Sequence, residues 1–249
     1  MGQPILKIEG LTKSFGRLVA VKEVDLTVQP GELKSIIGPN GAGKTTLFNL
    51  VTGRLTPDRG RALFRGEEIT GLRPHEIMTR GMARSFQITN IFPNLTVFEN
   101  VRLAVQRRVL GGPGGLLRWR RAGEIGQRTA EILERTGLAP HRDQPAGTIS
   151  YGDQRHLEIA ICLGTEPALL LLDEPTAGMS PAETQATIAL IQALAGSVTI
   201  LLIEHDMDVV MRVSDSIFVM HFGERLAEGD PDTIRKDPRV QEAYLGRVE

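Results

Sequence analysis

Cysteine is nearly absent. The 249-residue chain has one, Cys162, so no internal disulfide can form and the composition fits a reducing compartment. This residue falls in an apolar helical run and reads as core. Aromatics are scarce at 4%, with one Trp and two Tyr, so a ring beside a turn asks for a reason. An excess of one charge is missing too: the formal net charge of −1 gives no bulk attraction for nucleic acid. The longest apolar runs, residues 168–172 and 198–203, have strand length and are too short to span a bilayer. Met1-Gly2-Gln3-Pro4-Ile5-Leu6 lacks the charged and apolar regions of a secretory signal, and position six is not the Ser or Thr of a myristoylation site. The expectation is a soluble, cytoplasmic protein that can still sit against a membrane partner. The 41% hydrophobic content suffices for a sizeable core, in one domain or two lobes.

Against this plain background one stretch stands out, Gly38-Pro39-Asn40-Gly41-Ala42-Gly43-Lys44-Thr45-Thr46. It matches G-x-x-x-x-G-K-[ST], and its context is the one the motif needs: a short apolar strand at 33–37 before it, a helical pattern after it. Glycines let successive backbone N–H groups point at phosphates, and the helix N-terminus adds its positive dipole end. Lys44 reaches the β- and γ-phosphates in such a loop, and the Thr45 hydroxyl ligates Mg²⁺. A glycine-rich turn that binds nothing fits the flanks poorly. The stretch predicts a nucleoside triphosphate site.

Around it the pattern is α/β. Residues 5–8 and 19–28 alternate as half-buried strands, separated by a turn at Ser14-Phe15-Gly16. Phe15 reads equally as a stacking ring or as a small-core residue. Strands are expected at 61–64 and 83–87, with a short helix from Pro74 to residue 80. The middle turns helical, at 96–108, 124–136 and 151–164, which reads as an inserted lobe. Thr96-x-x-Glu99 opens the first of these helices as a capping box, and Ser150 opens the third. Between residues 102 and 121 lie six arginines, no acid and Trp119. This segment reads as a solvated helix connection, or more sharply as a contact with lipid headgroups or a membrane protein. After Pro167 strands and helices alternate again, which implies right-handed βαβ units and a mostly parallel sheet. Ligands bind at the carboxyl ends of such strands.

Those ends carry chemistry. Asp173 closes the apolar run 168–172, where a carboxylate can hold Mg²⁺ beside Thr45. Glu174 would point differently and could accept a proton from an attacking water. A solvated strand end is the plainer reading of two acids, but the phosphate loop upstream outweighs it. His205, closing strand 198–203, could donate to a γ-phosphate or simply cap the structure. Together these residues describe Mg²⁺-dependent nucleoside triphosphate hydrolysis.

In this order the residues resemble the ATP-binding subunit of ABC transporters, over essentially the whole chain. Residues 38–46 look like the family's Walker A, Gln87 like its Q-loop, 169–174 like Walker B with the catalytic glutamate, and His205 like the switch histidine. Phe15 stands where the adenine-stacking aromatic stands. Ile149-Ser150-Tyr151-Gly152-Asp153-Gln154 occupies the place of L-S-G-G-Q, the motif that separates these ATPases from other phosphate-loop enzymes. The S-Y-G spelling, Leu202-Ile203-Glu204-His205-Asp206-Met207 and Ala243-Tyr244-Leu245-Gly246 resemble the branch serving branched-chain amino acid importers.

The resemblance implies an α/β fold of the P-loop NTPase, RecA-like kind, with an antiparallel β subdomain and an inserted all-helical subdomain. An ATPase domain would span 5–235, with 1–86 and 166–235 forming the nucleotide-binding core and β subdomain. Residues 87–165 would form the helical part and 236–249 a tail. It implies ATP and Mg²⁺ as cofactors, with Gln87 joining Thr45 and Asp173 at the metal. Two subunits, alike or different, would close head to tail, so that Ser150 and Gly152 touch the γ-phosphate in the partner's site. Two transmembrane permease subunits and, indirectly, a periplasmic or lipid-anchored solute-binding protein would complete the assembly, on the inner face of the cell membrane. Relatives carrying urea, short amides or aromatic acids keep the solute open. An ATPase of this kind acting on nucleic acid or ribosomes would usually have tandem units, long coiled coils or zinc inserts, and the sequence has none. Nucleotide-dependent assembly without turnover would need a lost base, yet Glu174 is in place. Two departures from the family pattern bear on whether both composite sites are active: Asp153 replaces a glutamine, and Ser180 stands where the D-loop commonly ends in Asp.

Overall fold

The computed structural model describes residues 2–85, 91–110 and 121–245. It opens with a hairpin, β1 (Leu6–Phe15) and β2 (Leu18–Val28), paired antiparallel from Leu6↔Val28 to Phe15↔Leu18. Next come β3 (Leu33–Ile37), α1 (Lys44–Val51), β4 (Arg59–Phe64), β5 (Glu67–Glu68), α2 (Pro74–Thr79) and β6 (Met82–Arg84). The helical middle holds α3 (Val97–Leu110), α4 (Ala122–Arg135) and α5 (Tyr151–Leu163). Alternation then resumes with β7 (Leu169–Asp173), α6 (Pro181–Leu194), β8 (Thr199–Ile203), α7 (Met207–Val213) and β9 (Ser216–His221). The hairpin partner β10 (Glu224–Gly229), α8 (Pro231–Lys236) and α9 (Pro238–Leu245) follow.

Among the described residues the strands form two sheets. One is antiparallel, in the order β2-β1-β4-β5, and the other has the order β10-β9-β3-β8-β7-β6. In the second, β9, β3, β8, β7 and β6 run parallel, and only the edge strand β10 is antiparallel to its neighbour. The fold is thus the α/β arrangement that the strand–helix alternation predicts.

The central strands read as unbroken apolar runs because both faces are covered. Side chains alternate across a strand, so Leu170, Leu172, Ile200 and Leu202 join one core, which includes α3 to α6. Leu169, Leu171, Leu201 and Ile203 join the other, with α1 and the antiparallel sheet. The helical lobe follows its own period: in α4, Ile125, Thr129, Ile132 and Leu133 are buried at the spacing of one helix face. Thr96 and Glu99 exchange the expected capping bonds at 3.0–3.1 Å.

The C-terminal end is richer than its sequence pattern suggests. Only Ala227 of β10 is buried, so the strand shows no alternation to read. In the stretch from residue 236, assigned to a tail, α9 buries Val240 in a third cluster with α7 and α8. No helix among the described residues is long and apolar enough to cross a membrane.

Candidate functional site

The phosphate loop is built against its neighbours by glycine. Gly38 has φ +154°, and a Cβ there would meet the Met220 carbonyl oxygen at 2.2 Å. Gly43, with φ +101°, has the Ala20 carbonyl oxygen at 2.3 Å from the same position. These two close approaches seat the loop between β9 and β2, and α1 starts at Lys44 directly after Gly43. The Lys44 ammonium, nearly buried, donates to the carbonyls of Gly38 at 2.6 Å and Pro39 at 3.1 Å. Burial lowers its pKa, and the nearby charges of Glu174 and Asp173 oppose that shift. The loop therefore already surrounds a cation fit for a polyphosphate, with two carboxylates in electrostatic range.

Asp173, at the end of β7, is buried and held by Arg84 of the neighbouring strand. An Arg84 Nη2–H donates to Asp173 Oδ2 at 2.7 Å, and Nη1 donates to Asn49 Oδ1 and Thr52 Oγ1 on and just after α1. The other carboxylate oxygen, Oδ1, is buried without a hydrogen-bond partner among the described residues. An orphaned carboxylate oxygen beside a phosphate loop suits a hard divalent cation, which takes one or two carboxylates plus phosphate oxygens. Thr45, the second expected ligand, is exposed on the first turn of α1. Gln87, the third, lies outside the described residues. Sequence reasoning missed Arg84, because an arginine near a strand end carries no signal until its partner strand is known. Replacing it, Arg84→Met, strands a buried carboxylate and is expected to lower unfolding stability by about 3–5 kcal/mol, read by urea denaturation.

Glu174 sits just past the strand with φ +47°, an uncommon conformation for a non-glycine residue and one that gathers at functional sites. Its N–H donates to the Ile203 carbonyl at 2.9 Å, which hangs the residue from β8. Of the two neighbouring acids, Asp173 is buried and Glu174 is part-exposed. His205, more than half exposed, has Nδ1 3.9 Å from Glu174 Oε1, near but beyond hydrogen-bond length. A second missed residue, Glu204, is fully buried and accepts from the Thr176 N–H and hydroxyl and from the His205 N–H. It ties the end of β8 to the loop that follows Glu174.

The phosphate loop and Glu174 line a cleft of roughly 630 Å³, whose walls are Asn40 to Thr46, Glu174, Phe15, Leu18, Val19, Ala20 and Phe222; Asp173 and His205 are not among them. Phe15 is about half exposed there, which favours the stacking alternative over the core one. Ser150 and Gly152 are not part of these walls. They open α5, where Ser150 Oγ donates to Asp153 Oδ2 at 2.7 Å and accepts from the Asp153 N–H. The Gly152 N–H donates to Glu183 Oε1 at 3.0 Å. The Asp153 carboxylate thus turns back onto the Ser150 cap of its own helix. Ser180 caps α6 and shares the same Glu183 carboxylate.

A separate, largely apolar groove of about 370 Å³ lies between α2, β6 and the helical lobe, with Ile77, Met78, Met82 and Ile161 among its walls. Cys162, expected in the core, is only half-buried at its border, and desolvation pushes its thiol up to about 12. Since the thiolate is the nucleophile, alkylation by iodoacetamide at pH 8 is expected to be far slower than for a free thiol, and unfolding should restore it.

Comparison with known proteins identifies the family and the fold. The family model described as ABC transporter matches residues 21–177, and the one described as branched-chain amino acid ATP-binding cassette transporter matches 224–249. The chain is 46% identical, over the full length of both, to the high-affinity branched-chain amino acid transport ATP-binding proteins LivG of Escherichia coli K12 and BraF of Pseudomonas aeruginosa. A probable LivG of Archaeoglobus fulgidus is 36% identical over 97% of this chain and 95% of its own. Among solved structures, the ADP conformation of an ATP-binding cassette of an ABC transporter superposes with a TM-score of 0.85 at 32% identity, covering 99% of this chain and all of the other. A dimeric post-hydrolysis cassette bound to ADP and phosphate gives 0.76 at 25% identity, over 91% and 98%.

Proposed function

Because the chain belongs to the ATP-binding subunits of ABC transporters and is an ATPase, we propose that it energises an importer for branched-chain amino acids. The observation that carries this reading is the single cleft lined by the phosphate loop, Lys44 included, and by Glu174, in a chain whose relatives at full length are transport ATP-binding proteins.

In the proposed cycle the loop N–H groups and Lys44 hold the triphosphate. Thr45, the open Oδ1 of Asp173 and Gln87 are the groups that would hold Mg²⁺, which would supply charge neutralisation to the triphosphate. Glu174 accepts a proton from water lined up behind the γ-phosphate, and His205 donates to the γ-phosphate oxygens. Two subunits meet head to tail, so that Ser150 and Gly152 complete the partner's site. For that, Ser150 and Gly152 exchange their bonds to Asp153 and Glu183 for phosphate oxygens. ATP favours the closed pair by its differential affinity, and hydrolysis releases it. The apolar groove beside Cys162 receives a helix of the permease, next to the strand that leads toward Gln87. The protein then works at the inner face of the membrane without entering it.

Reconstitution with its permease subunits and solute-binding protein in proteoliposomes tests the assignment. ATP-dependent uptake of leucine, isoleucine or valine is expected. Uptake of urea, an amide or an aromatic acid in their place would move the solute to another class and leave the ATPase role standing.

A further inference from the structure

Beyond Phe15, the apolar residues of the nucleotide cleft have no assigned purpose. Phe15, Leu18, Val19 and Phe222 are all large apolar residues that remain exposed, and all line the end of the cleft beside the phosphate loop. Phe222 is the extreme case, 79% exposed. It also occupies a costly backbone position. Phe222 and Gly223 form the tight turn between β9 and β10 with φ of +48° and +81°, a turn that favours Asn-Gly or Asp-Gly and strains a bulky residue.

The turn is fixed against the site. The Gly223 N–H donates to the Ala42 carbonyl of the phosphate loop at 3.0 Å, and the Gly223 carbonyl accepts from the Lys22 N–H at 2.8 Å. A Cβ at Gly223 would meet the Ala20 carbonyl oxygen at 2.9 Å, so β2, the loop and the turn are in direct contact. The His221 ring braces Phe222, with centroids 4.2 Å apart. A strained, exposed ring held by backbone bonds to a phosphate loop is placed to meet something flat and apolar. A nucleoside triphosphate brings such a surface next to its phosphates, and a base stacks on an aromatic face whatever its edge pattern.

We infer that Phe222 forms a second aromatic wall of the base subsite, with Phe15 on the β1–β2 hairpin as the first and Leu18 and Val19 between them. The inference rests on the nucleotide-binding reading of the cleft. It deepens that reading by making base affinity depend on two separate elements, one from each sheet.

Binding of ADP and of inorganic tripolyphosphate to the purified chain, measured by calorimetry, tests it. ADP carries the base without the γ-phosphate that drives pairing of subunits, and tripolyphosphate carries phosphates without a base. Phe222→Asn removes the ring while supplying the residue the turn prefers, so a folding defect is not expected, and a thermal melt checks that. The expected result is a five- to tenfold rise in the ADP Kd, about the effect of losing one stacking face, with tripolyphosphate unaffected. Phe222→Tyr should restore ADP affinity, and Phe15→Ala combined with Phe222→Asn should weaken it beyond either alone. An unchanged ADP Kd in Phe222→Asn, an equal loss for tripolyphosphate, or a change confined to the oligomeric state would each overturn the inference. Failure of the wild type to bind either ligand would instead remove the nucleotide reading beneath it.

Discussion

Glu174→Gln is expected to cut phosphate release by 10²–10⁴-fold, roughly the contribution of a positioned general base, while ATP still binds. The substitution keeps the size of the side chain and the backbone turn at φ +47°, and it leaves the Glu174 N–H on the Ile203 carbonyl. What it removes is the carboxylate that takes the proton from water. If turnover stops after binding, ATP persists in the site, and the closed pair of subunits should accumulate in sizing chromatography with ATP but not ADP. Phosphate release measured on wild type and variant decides the point. Equal rates would take Glu174 out of its role. The neighbouring Asp173→Asn is no substitute for this test, because Asp173 also holds Arg84 and its loss would disturb the packing between β6 and β7.

Lys44→Ala carries the other large effect, on binding. The ammonium is nearly buried, donates to the Gly38 and Pro39 carbonyls and has one N–H left for a phosphate oxygen. Removing a charged donor of this kind costs about 1.5–3 kcal/mol, so the ATP Kd should rise by roughly 10–150-fold. Two loop carbonyls lose their donor as well, so a melting curve must accompany the titration. Calorimetry that finds unchanged ATP affinity in a folded variant would dismiss the phosphate site altogether. The two variants are complementary: one should bind without turnover, the other should fail before turnover begins.

Much of this was legible in the chain because local chemistry and fold agree there. The phosphate loop needs its glycines for close approach, and Gly38 and Gly43 make those approaches to Met220 and Ala20. The parallel strands announced themselves as apolar runs because both faces are covered, and the caps at Thr96 and Ser150 obeyed local rules. The contributions of Arg84, Glu204 and Glu183 were not legible, since each acts on a group from another element. Glu183, for example, lies 31 residues from the Gly152 N–H that it accepts from. Strand β10 and helix α9 escaped for a different reason. These elements bury too few side chains to leave a periodic mark: among the described residues, only Ala227 of β10 and Val240 of α9 are fully buried. Phe222 was visible as a letter, but its exposure and its backbone conformation exist only in the folded hairpin.

Strand β7 also acts as a proofreader. Its odd and even leucines are sorted into separate cores, so a slip of one residue along the strand would swap every side chain between them. The same slip would put Glu174 where Asp173 meets Arg84 and leave no acid in the position of the proton acceptor. Two adjacent acids can hold different jobs only if the chain never confuses them. Leucine would replace leucine through most of the strand, so the cost of such confusion falls on Asp173, whose carboxylate the slip would drive into the buried site of Leu172, far from any substrate.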